Sequence, residues 1–451
     1  MLLKKPYSSI IYLLLFSAAI AAAAYRLPAY ASRLPLLLLM ALADLYILHL
    51  LSGKTLNIRR ITRLFLITFN LLPSILLLCF LLSMAFTDPT GWNPVIRTYL
   101  LGIVVFLYIV RAFPLMVLLA GSIKQSLHKT QNIHPKAAFS RIGLKISFVL
   151  SFFASILLIS GMTIWVYDFE ITDVQIKTER LPEGFNHYRI VHISDFHLGR
   201  WHSAKPILRA LELVKACQPD MIVFTGDLVN YASSEALPFS EHLAMFSAPD
   251  GVFAVNGNHD YGDYLRWPDQ CMKDENFQNL FSLYKNAGWT LLENTHAGVY
   301  RGNHCLYVAG TGNYSANKHY PDRSDLQAAA SGIPDSCFLI LLTHSPEIIQ
   351  TEALRNINAS LVLSGHTHGL QLGFRCRNTY YSPAALIYKH WAGLYQPDEL
   401  AHSIGYLYVN RGLGHIAIPL RIGMKPEITL ITLVKEIYVS PCQRKALRGK
   451  T

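Results

Sequence analysis

Five apolar stretches fill the first 167 residues, at about 6–25, 34–52, 64–86, 98–121 and 146–167. A helix needs roughly 20 mostly apolar residues to cross the hydrocarbon core of a bilayer, and it must satisfy its own backbone hydrogen bonds there. The region therefore predicts five transmembrane helices. Charge agrees: residues 1–167 hold 15 Lys and Arg but only two acids, Asp44 and Asp88, a balance of +13. The rest of the chain holds 25 basic and 27 acidic residues, a balance of −2 within the overall +11. The basic excess thus belongs to the apolar region. That distribution argues against nucleic-acid binding, whose basic footprint clusters on a folded soluble domain, and no nucleic-acid partner is expected.

Lys4 and Lys5 precede the first stretch, and its end is rich in alanine, so that stretch also fits a signal peptide. Four spans follow it in either case. Lys and Arg accumulate on the cytoplasmic side of membrane helices. With the N-terminus inside, segments 1–5, 53–63 and 122–145 carry eleven of them, and the opposite loops carry three, Arg26, Arg33 and Arg97. Five spans in this orientation place everything after Tyr167 outside the cytoplasm, and one helix fewer would reverse the side. Asp44 and Arg111 fall within predicted spans, where charge is costly. They read as a bundle-interior pair, with a transport path as the alternative.

Residues 168–451 have a different texture. Almost no linker follows Tyr167, because Phe169–Ile176 already alternates like a strand, so this domain is expected close to the bilayer. Apolar runs at 188–193, 220–225, 252–256, 305–309, 337–342 and 360–364 read as buried strands, with further strands at 405–410 and 427–434. Helical patterns fall near 203–216, 275–287 and 346–355. The alternation predicts a layered α/β or α+β domain. Cys79 lies in a span, and Cys217, Cys271, Cys305, Cys337, Cys376 and Cys442 are scattered without a CxxC pair. They specify no zinc or redox site, and leave disulfides and buried thiols both open.

The informative residues stand where strands end. Run 188–193 leads into Ser194-Asp195-Phe196-His197, and run 220–225 into Gly226-Asp227. Run 252–256 leads into Gly257-Asn258-His259-Asp260, run 337–342 into Thr343-His344, and run 360–364 into Gly365-His366-Thr367-His368-Gly369. Ligands of open sheets bind at the carboxyl ends of strands, so five such loops can converge on one site. Carboxylate, amide and imidazole together suit Mn, Fe, Zn or Co better than Mg or Ca. An extended backbone would direct both side chains of Asp-x-His and of His-x-His to one face.

This series resembles that of the calcineurin-like metallophosphoesterases, over about residues 188–434. Within that family it is similar to a membrane-tethered bacterial branch of exported phosphodiesterases and some UDP-2,3-diacylglucosamine hydrolases. Asn410-Arg411-Gly412-Leu413-Gly414, Ile418-Pro419-Leu420-Arg421 and Pro426-Glu427-Ile428 resemble the C-terminal signature of that branch. The five-span anchor is not part of the general family pattern. The resemblance implies a four-layer α/β/β/α sandwich at 168–451 and two divalent metals about 3.5–4 Å apart that clamp a phosphoryl group. It implies Asp195, His197 and His368 on one metal, Asn258, His344 and His366 on the other, and Asp227 bridging both. His259 resembles the histidine that stabilises or protonates the leaving oxygen, with Asp260 as its orienting partner. Leu370 stands where the branch commonly has a second glycine, and an acidic residue common in relatives is absent around Gly310-Thr311-Gly312-Asn313.

Other polar residues carry less. His192 lies mid-strand and reads as core. His202, His319, His390 and His415 read as surface histidines, and Lys205 and Arg209 as a solvated helix face. Arg200, Tyr261 and Arg411 adjoin motifs and are the candidate phosphate contacts. The chain is thus expected to be a multi-pass protein of the bacterial inner membrane, hydrolysing a phosphodiester, phosphomonoester or pyrophosphate bond. An amphiphilic or lipid-linked phosphoester is the expected substrate. The alternative is a sensor or transporter with a non-catalytic module of the same fold.

Overall fold

Residues 6–26, 34–52, 60–87, 91–127, 141–317, 320–377, 379–400 and 404–436 are described by a computed structural model. The basic segments 1–5, 53–59 and 128–140, with Arg33, His319 and Cys442, lie outside the described residues. Two compact units divide the chain. One comprises Met1–Trp165, Tyr264–Pro268 and Ile416–Leu420, and the other Val166–Asp263, Asp269–His415 and Arg421–Thr451.

The first unit is helical: α1 (Pro6–Arg26), α2 (Leu34–Ser52), α3 (Arg60–Phe86), α4 (Pro94–Leu127) and α5 (Arg141–Thr163). Among the described residues, three segments are long and apolar enough to cross a membrane: Ile67–Phe86, Pro94–Val117 and Lys145–Tyr167. Ile10–Tyr25 and Leu36–Leu48 are apolar but shorter. Helix α3 packs against α1, α2 and α4, and α4 packs against α5.

A buried polar knot ties four of these helices. Asp44 of α2 pairs with Arg111 of α4 and accepts hydrogen bonds from Tyr12 of α1 (2.9 Å), Tyr108 of α4 (3.0 Å) and Ser74 of α3. Arg111 also donates to the carbonyl of Asn70 (2.7 Å) and lies 3.8 Å from the centre of the Tyr108 ring. Removing one partner of a buried pair leaves the other charge uncompensated. Asp44→Ala is therefore expected to destabilise the helical unit by roughly 3–5 kcal/mol, read as a lowered midpoint of detergent-solubilised thermal unfolding.

Fourteen strands are described in the second unit. In chain order they are β1 (Glu170–Thr178), β2 (Tyr188–Ile193), β3 (Met221–Phe224), β4 (Val252–Ala254), β5 (Trp289–Leu291), β6 (Thr295–Arg301) and β7 (His304–Gly310). Then follow β8 (Phe338–Leu342), β9 (Leu361–Ser364), β10 (Phe374–Cys376), β11 (Thr379–Tyr381), β12 (Gly393–Tyr395), β13 (Tyr406–Val409) and β14 (Glu427–Lys435). One six-stranded sheet runs β1-β14-β2-β3-β4-β5, the other β12-β13-β9-β8-β7-β6, and β10 and β11 form a separate hairpin. Strands β2 to β5 are parallel to one another, as are β7, β8, β9 and β13, while β14 runs antiparallel to β2.

The central strands are apolar throughout because both their faces are buried. Along β2, Tyr188 and Ile190 join a cluster shared with Ile340 and Leu342 of the other sheet, while Val191 and Ile193 face the helix Lys205–Ala216. Along β8, Leu339 and Leu341 face a third cluster with Leu326 and Ile348. His192, also on β2, is fully buried, and its Nε2 lies 2.9 Å from the Thr225 hydroxyl. Burial pushes its pKa down to about 3, so it is a neutral core residue.

Two helical expectations shift. Segment 346–355 is a pair of 3₁₀ turns, Pro346–Gln350 and Glu352–Asn356, separated by an extended Thr351. The helix expected at 275–287 starts earlier, at Gln270, because Asp269 caps it by accepting from the Met272 amide (2.8 Å). Among the described residues there is no disulfide, and the six described cysteines are free thiols.

Candidate metal centre

The parallel strands deliver their polar residues at the same ends. Asp195 and His197 follow β2, Asp227 follows β3, Asn258 and His259 follow β4, His344 follows β8, and His366 and His368 follow β9. Two sets of side chains meet there, Asp195 with His197 and His368, and Asp227 with His344 and His366. Within each set the ligating atoms lie within 4.8 Å of one another. Imidazole faces imidazole: His197 Nε2 is 3.1 Å from His368 Nε2, and His366 Nδ1 is 3.2 Å from His344 Nε2. Carboxylates close the sets, with Asp195 3.2 Å from His368, and Asp227 3.2 Å from His344 and 3.5 Å from His197.

This donor set fits divalent metals. Only one proton fits between two facing ring nitrogens, whereas a shared cation satisfies both nitrogens and the carboxylates beside them. Second partners hold the rings in place. His344 Nδ1 donates to the Thr225 carbonyl (2.7 Å), Arg421 donates to His368 Nδ1 (3.3 Å), and the Asn230 amide meets His197 Nδ1 (3.2 Å). Electrostatics follow the same geometry. Burial depresses His197 well below the usual histidine range, and burial with neighbouring His344 takes His366 down to about 4. Burial alone would depress His344 too, but Asp227 outweighs it and pushes it up to about 9. Burial would raise the Asp227 carboxyl, yet His344 and His259 hold it well below the carboxylate range.

The local backbone departs from the extended form expected for Asp-x-His and His-x-His. Asp195, His197, Asp227, His366 and His368 all have positive φ, between 49° and 73°. Left-handed residues are costly for side chains other than glycine and cluster at functional sites. Convergence here comes from these tight reversals rather than from strand alternation. The reversal continues through Gly369, Leu370 and Gln371, all at positive φ, so Leu370 holds a conformation in which a glycine would be unstrained. Gly365 matters for another reason. A Cβ there would collide with Ser194 Oγ and the Asp195 carboxylate. Gly365→Ala is expected to weaken metal binding by roughly 10–100-fold, the scale of a disturbed ligand support, measured by metal titration.

Asp260 does not orient the His259 ring as expected. It accepts from the backbone amides of Asp227 (2.8 Å), Gly257 (2.8 Å), Leu228 (2.9 Å) and Val229 (3.2 Å), pinning two site loops together. Burial and nearby Asp227 push its pKa up to about 7. The His259 ring is instead fixed by donating from Nδ1 to the Asn230 carbonyl (2.8 Å), and the His259 amide donates to Asp227 (2.9 Å). Asn258, beside it, is half-buried.

Arg411, one of the three candidate phosphate contacts, lies inside the domain. It is 1% exposed, its Nε donates to Glu427 (2.7 Å), and its guanidinium lies 4.4 Å from the centre of the Tyr380 ring, so its charge is spent inside the domain. Arg200 is buried with Nη2 against the Tyr231 hydroxyl (3.3 Å), and the Tyr261 hydroxyl donates to Glu293. His390 and His415 are buried rather than on the surface, and His202 is half-buried beside Tyr167. Asn230, Thr225 and Arg421 are the supports that sequence reading missed. Arg421 stood in the C-terminal signature and Thr225 at the end of run 220–225, but nothing local marked either as a support for a histidine ring, and Asn230 stood in no named segment.

Residues 188–370 match the family described as calcineurin-like phosphoesterase. A zebrafish transmembrane protein with a metallophosphoesterase domain is 32% identical over 58% of this chain and 57% of its own length, so the match spans little more than half of that relative. The uncharacterised metallophosphoesterase YkuE of Bacillus subtilis is 30% identical over 58% of this chain and 85% of its own length. The UDP-2,3-diacylglucosamine pyrophosphatase LpxG of Chlamydia trachomatis is 27% identical over 60% of this chain and 93% of its own length. With the motif loops gathered at the ends of the parallel central strands of two mixed sheets, this chain belongs to the calcineurin-like metallophosphoesterase family.

Proposed function

We propose that this chain is a membrane-anchored, two-metal phosphoesterase whose substrate is an amphiphilic phosphodiester or pyrophosphate, with a phosphomonoester as the simpler case. The observation that carries the reading is the pair of ligand sets, Asp195-His197-His368 and Asp227-His344-His366, each closing within 4.8 Å. Asn258 completes the second set, and Asp227, within reach of histidines from both, is shared. When bound, divalent cations at these sets make water nucleophilic near neutral pH and neutralise phosphoryl charge. The protein holds its share of the reaction in rigid form. The Asn230 carbonyl holds the Nδ1 proton of His259, so Nε2 is the nitrogen that can meet a leaving oxygen; with the ring protonated on both nitrogens, Nε2 gives up its proton and the ring returns to the Nδ1–H form. Asp260 fixes the two loops on which Asp227 and His259 ride.

The anchor is read as five helices, with the domain facing away from the cytoplasm in a bacterial inner membrane. A four-layer α/β/β/α arrangement is supported by the cluster that draws on both sheets and by the helices packed outside them. Only Ile164–Phe169 separates α5 from β1, a tether of about 20 Å at full extension. Such a tether favours substrates presented at the bilayer surface. LpxG, by its name, acts on a lipid-linked pyrophosphate.

The test uses the full chain in detergent, loaded with Mn²⁺ and assayed on bis(p-nitrophenyl) phosphate. Hydrolysis that chelation abolishes and added metal restores is the expected result. No turnover with any of Mn, Fe, Zn or Co would leave the domain a binding module. Alkaline phosphatase fused after Thr451 should be active, and an inactive phosphatase with a glowing fluorescent-protein fusion would overturn the orientation.

A further inference from the structure

Past the ligand loop His366-Thr367-His368, the chain makes an excursion from Leu370 to His390 that includes the hairpin of β10 and β11. Six apolar side chains on it are exposed: Leu370, Leu372, Phe374, Tyr381, Leu386 and Ile387. Leu386 is the extreme, 89% exposed, and the Phe374 and Tyr381 rings stack on each other at 5.1 Å between centres. A single exposed leucine needs no explanation, but apolar groups gathered on one part of a surface mark an interaction. The excursion is firmly built. Ser382 Oγ donates to the Gly369 carbonyl (2.8 Å), the Thr367 hydroxyl donates to the Trp391 carbonyl, and Ala384, Trp391 and Met424 make a small core of their own. Tyr388 meets the His366 ring edge-on at 5.7 Å. Its exposed tip is therefore fastened to the loop that carries His366 and His368.

Its charge is one-sided. Residues 370–390 hold Arg375, Arg377 and Lys389 and no acid. Arg375 reaches Glu170 (3.6 Å), whereas Arg377 and Lys389 are exposed and have no acidic partner among the described residues. Apolar tips ringed by unpaired cations are the composition of surfaces that settle into the boundary between headgroups and acyl chains.

The chain also enters the domain at this end. β1 starts at Glu170, opposite Glu427 at the start of β14, and β14 runs antiparallel to β2 with Thr429 against His192. The first residues of β1 thus lie where β2 finishes and releases Asp195. The apolar segment Lys145–Tyr167 ends one residue before Asp168, which pairs with Lys425 (2.7 Å). Glu170, the partner of Arg375, is three residues beyond that segment, at most about 10 Å of extended chain. A tether so short limits the distance of the hairpin from the bilayer but leaves its orientation open. A second point of contact would fix it.

We infer that this excursion is an interfacial lip, in which Leu386, Ile387 and the Phe374–Tyr381 pair enter the headgroup layer of the bilayer while Arg377 and Lys389 meet the phosphates of anionic lipids. The lip holds the loop of His366 and His368 against the membrane surface. The inference rests on the membrane-anchored part of the reading above and not on turnover.

The experiment places p-benzoylphenylalanine singly at Leu386, Tyr300 or Phe152 of the full chain. Each protein is photolysed in phosphatidylcholine nanodiscs with and without phosphatidylglycerol, and mass spectrometry reads the fraction of the labelled peptide that gains a lipid. Phe152, exposed on α5, reports the anchor. Tyr300, exposed on β6 beside the start of β7, reports background from the opposite end of its sheet. Leu386 is expected to gain lipid at least about tenfold above Tyr300. Phosphatidylglycerol should raise that yield about fivefold for each of the two cations, and the double variant Arg377→Gln, Lys389→Gln should remove the dependence. Adducts at Phe152 with only background at Leu386 overturn the lip and leave the anchor standing. No adduct at Phe152 overturns the anchor and the lip with it. Cross-linking of Leu386 to a second copy of the chain instead of lipid makes this face a protein interface and overturns the inference. A Leu386 yield that ignores phosphatidylglycerol overturns the role of the cations.

Discussion

Asp227→Asn should abolish metal-dependent hydrolysis, lowering kcat/KM by more than about 1,000-fold, beyond what loss of a single charge-stabilising donor costs. Asp227 is the residue whose carboxylate approaches histidines of both sets, 3.5 Å from His197 and 3.2 Å from His344. Asparagine keeps the shape and one acceptor oxygen, so the amide of His259 retains its partner. What disappears is the negative charge between two cationic sites. Metal content per chain, measured by plasma emission, should fall along with the rate, and the thermal midpoint of the metal-free protein should fall as well, because buried His344 loses the carboxylate it pairs with. An Asp227→Asn protein that still turns over briskly would show that the ligand assignment is wrong.

The second large effect is at His259, and it depends on the leaving group. A general acid contributes roughly 10²–10⁴-fold where the departing oxygen needs a proton. Esters of aliphatic alcohols leave as strongly basic alkoxides, so His259→Asn should slow their hydrolysis by about that factor. Esters of p-nitrophenol release a weakly basic phenolate, and the same variant should lose far less on them. A purely structural histidine would slow both classes alike, so the ratio of the two losses decides the role. Asn230 enters this argument because its carbonyl fixes the histidine tautomer. The link is through backbone, and no side-chain substitution at Asn230 removes it.

Much of this centre was legible in the chain because buried parallel strands announce themselves twice. Their apolar runs are continuous, and each run ends abruptly in Gly, Asp or His. Runs 188–193 and 337–342 became β2 and β8 nearly residue for residue. Hidden features were those that depend on what lies across the sheet. Arg411 sits next to a glycine-rich segment, and only the pairing of Glu427 against it, 16 residues later on β14, shows that its charge is consumed internally. His415 gave no sign of burial, because neighbours distant in sequence cover it. Backbone handedness was equally silent: a one-letter code does not state that His366 and His368 bend with positive φ. Short edge strands such as β5 and β12, three residues each, carry too little periodicity to detect.

Each ligand set joins loops from different sheets. Asp195 and His197 leave the sheet of β2 while His368 leaves that of β9, and Asp227 leaves the first sheet while His344 and His366 leave the second. Metal at these positions is thus a fastener across the two halves of the domain, and folding and loading become linked equilibria. Every tenfold rise in free metal above the dissociation constant adds about 1.4 kcal/mol per site to the folded state. Scarcity of metal would then loosen the seam between the sheets, making the ion supply of the compartment a determinant of how long the protein persists.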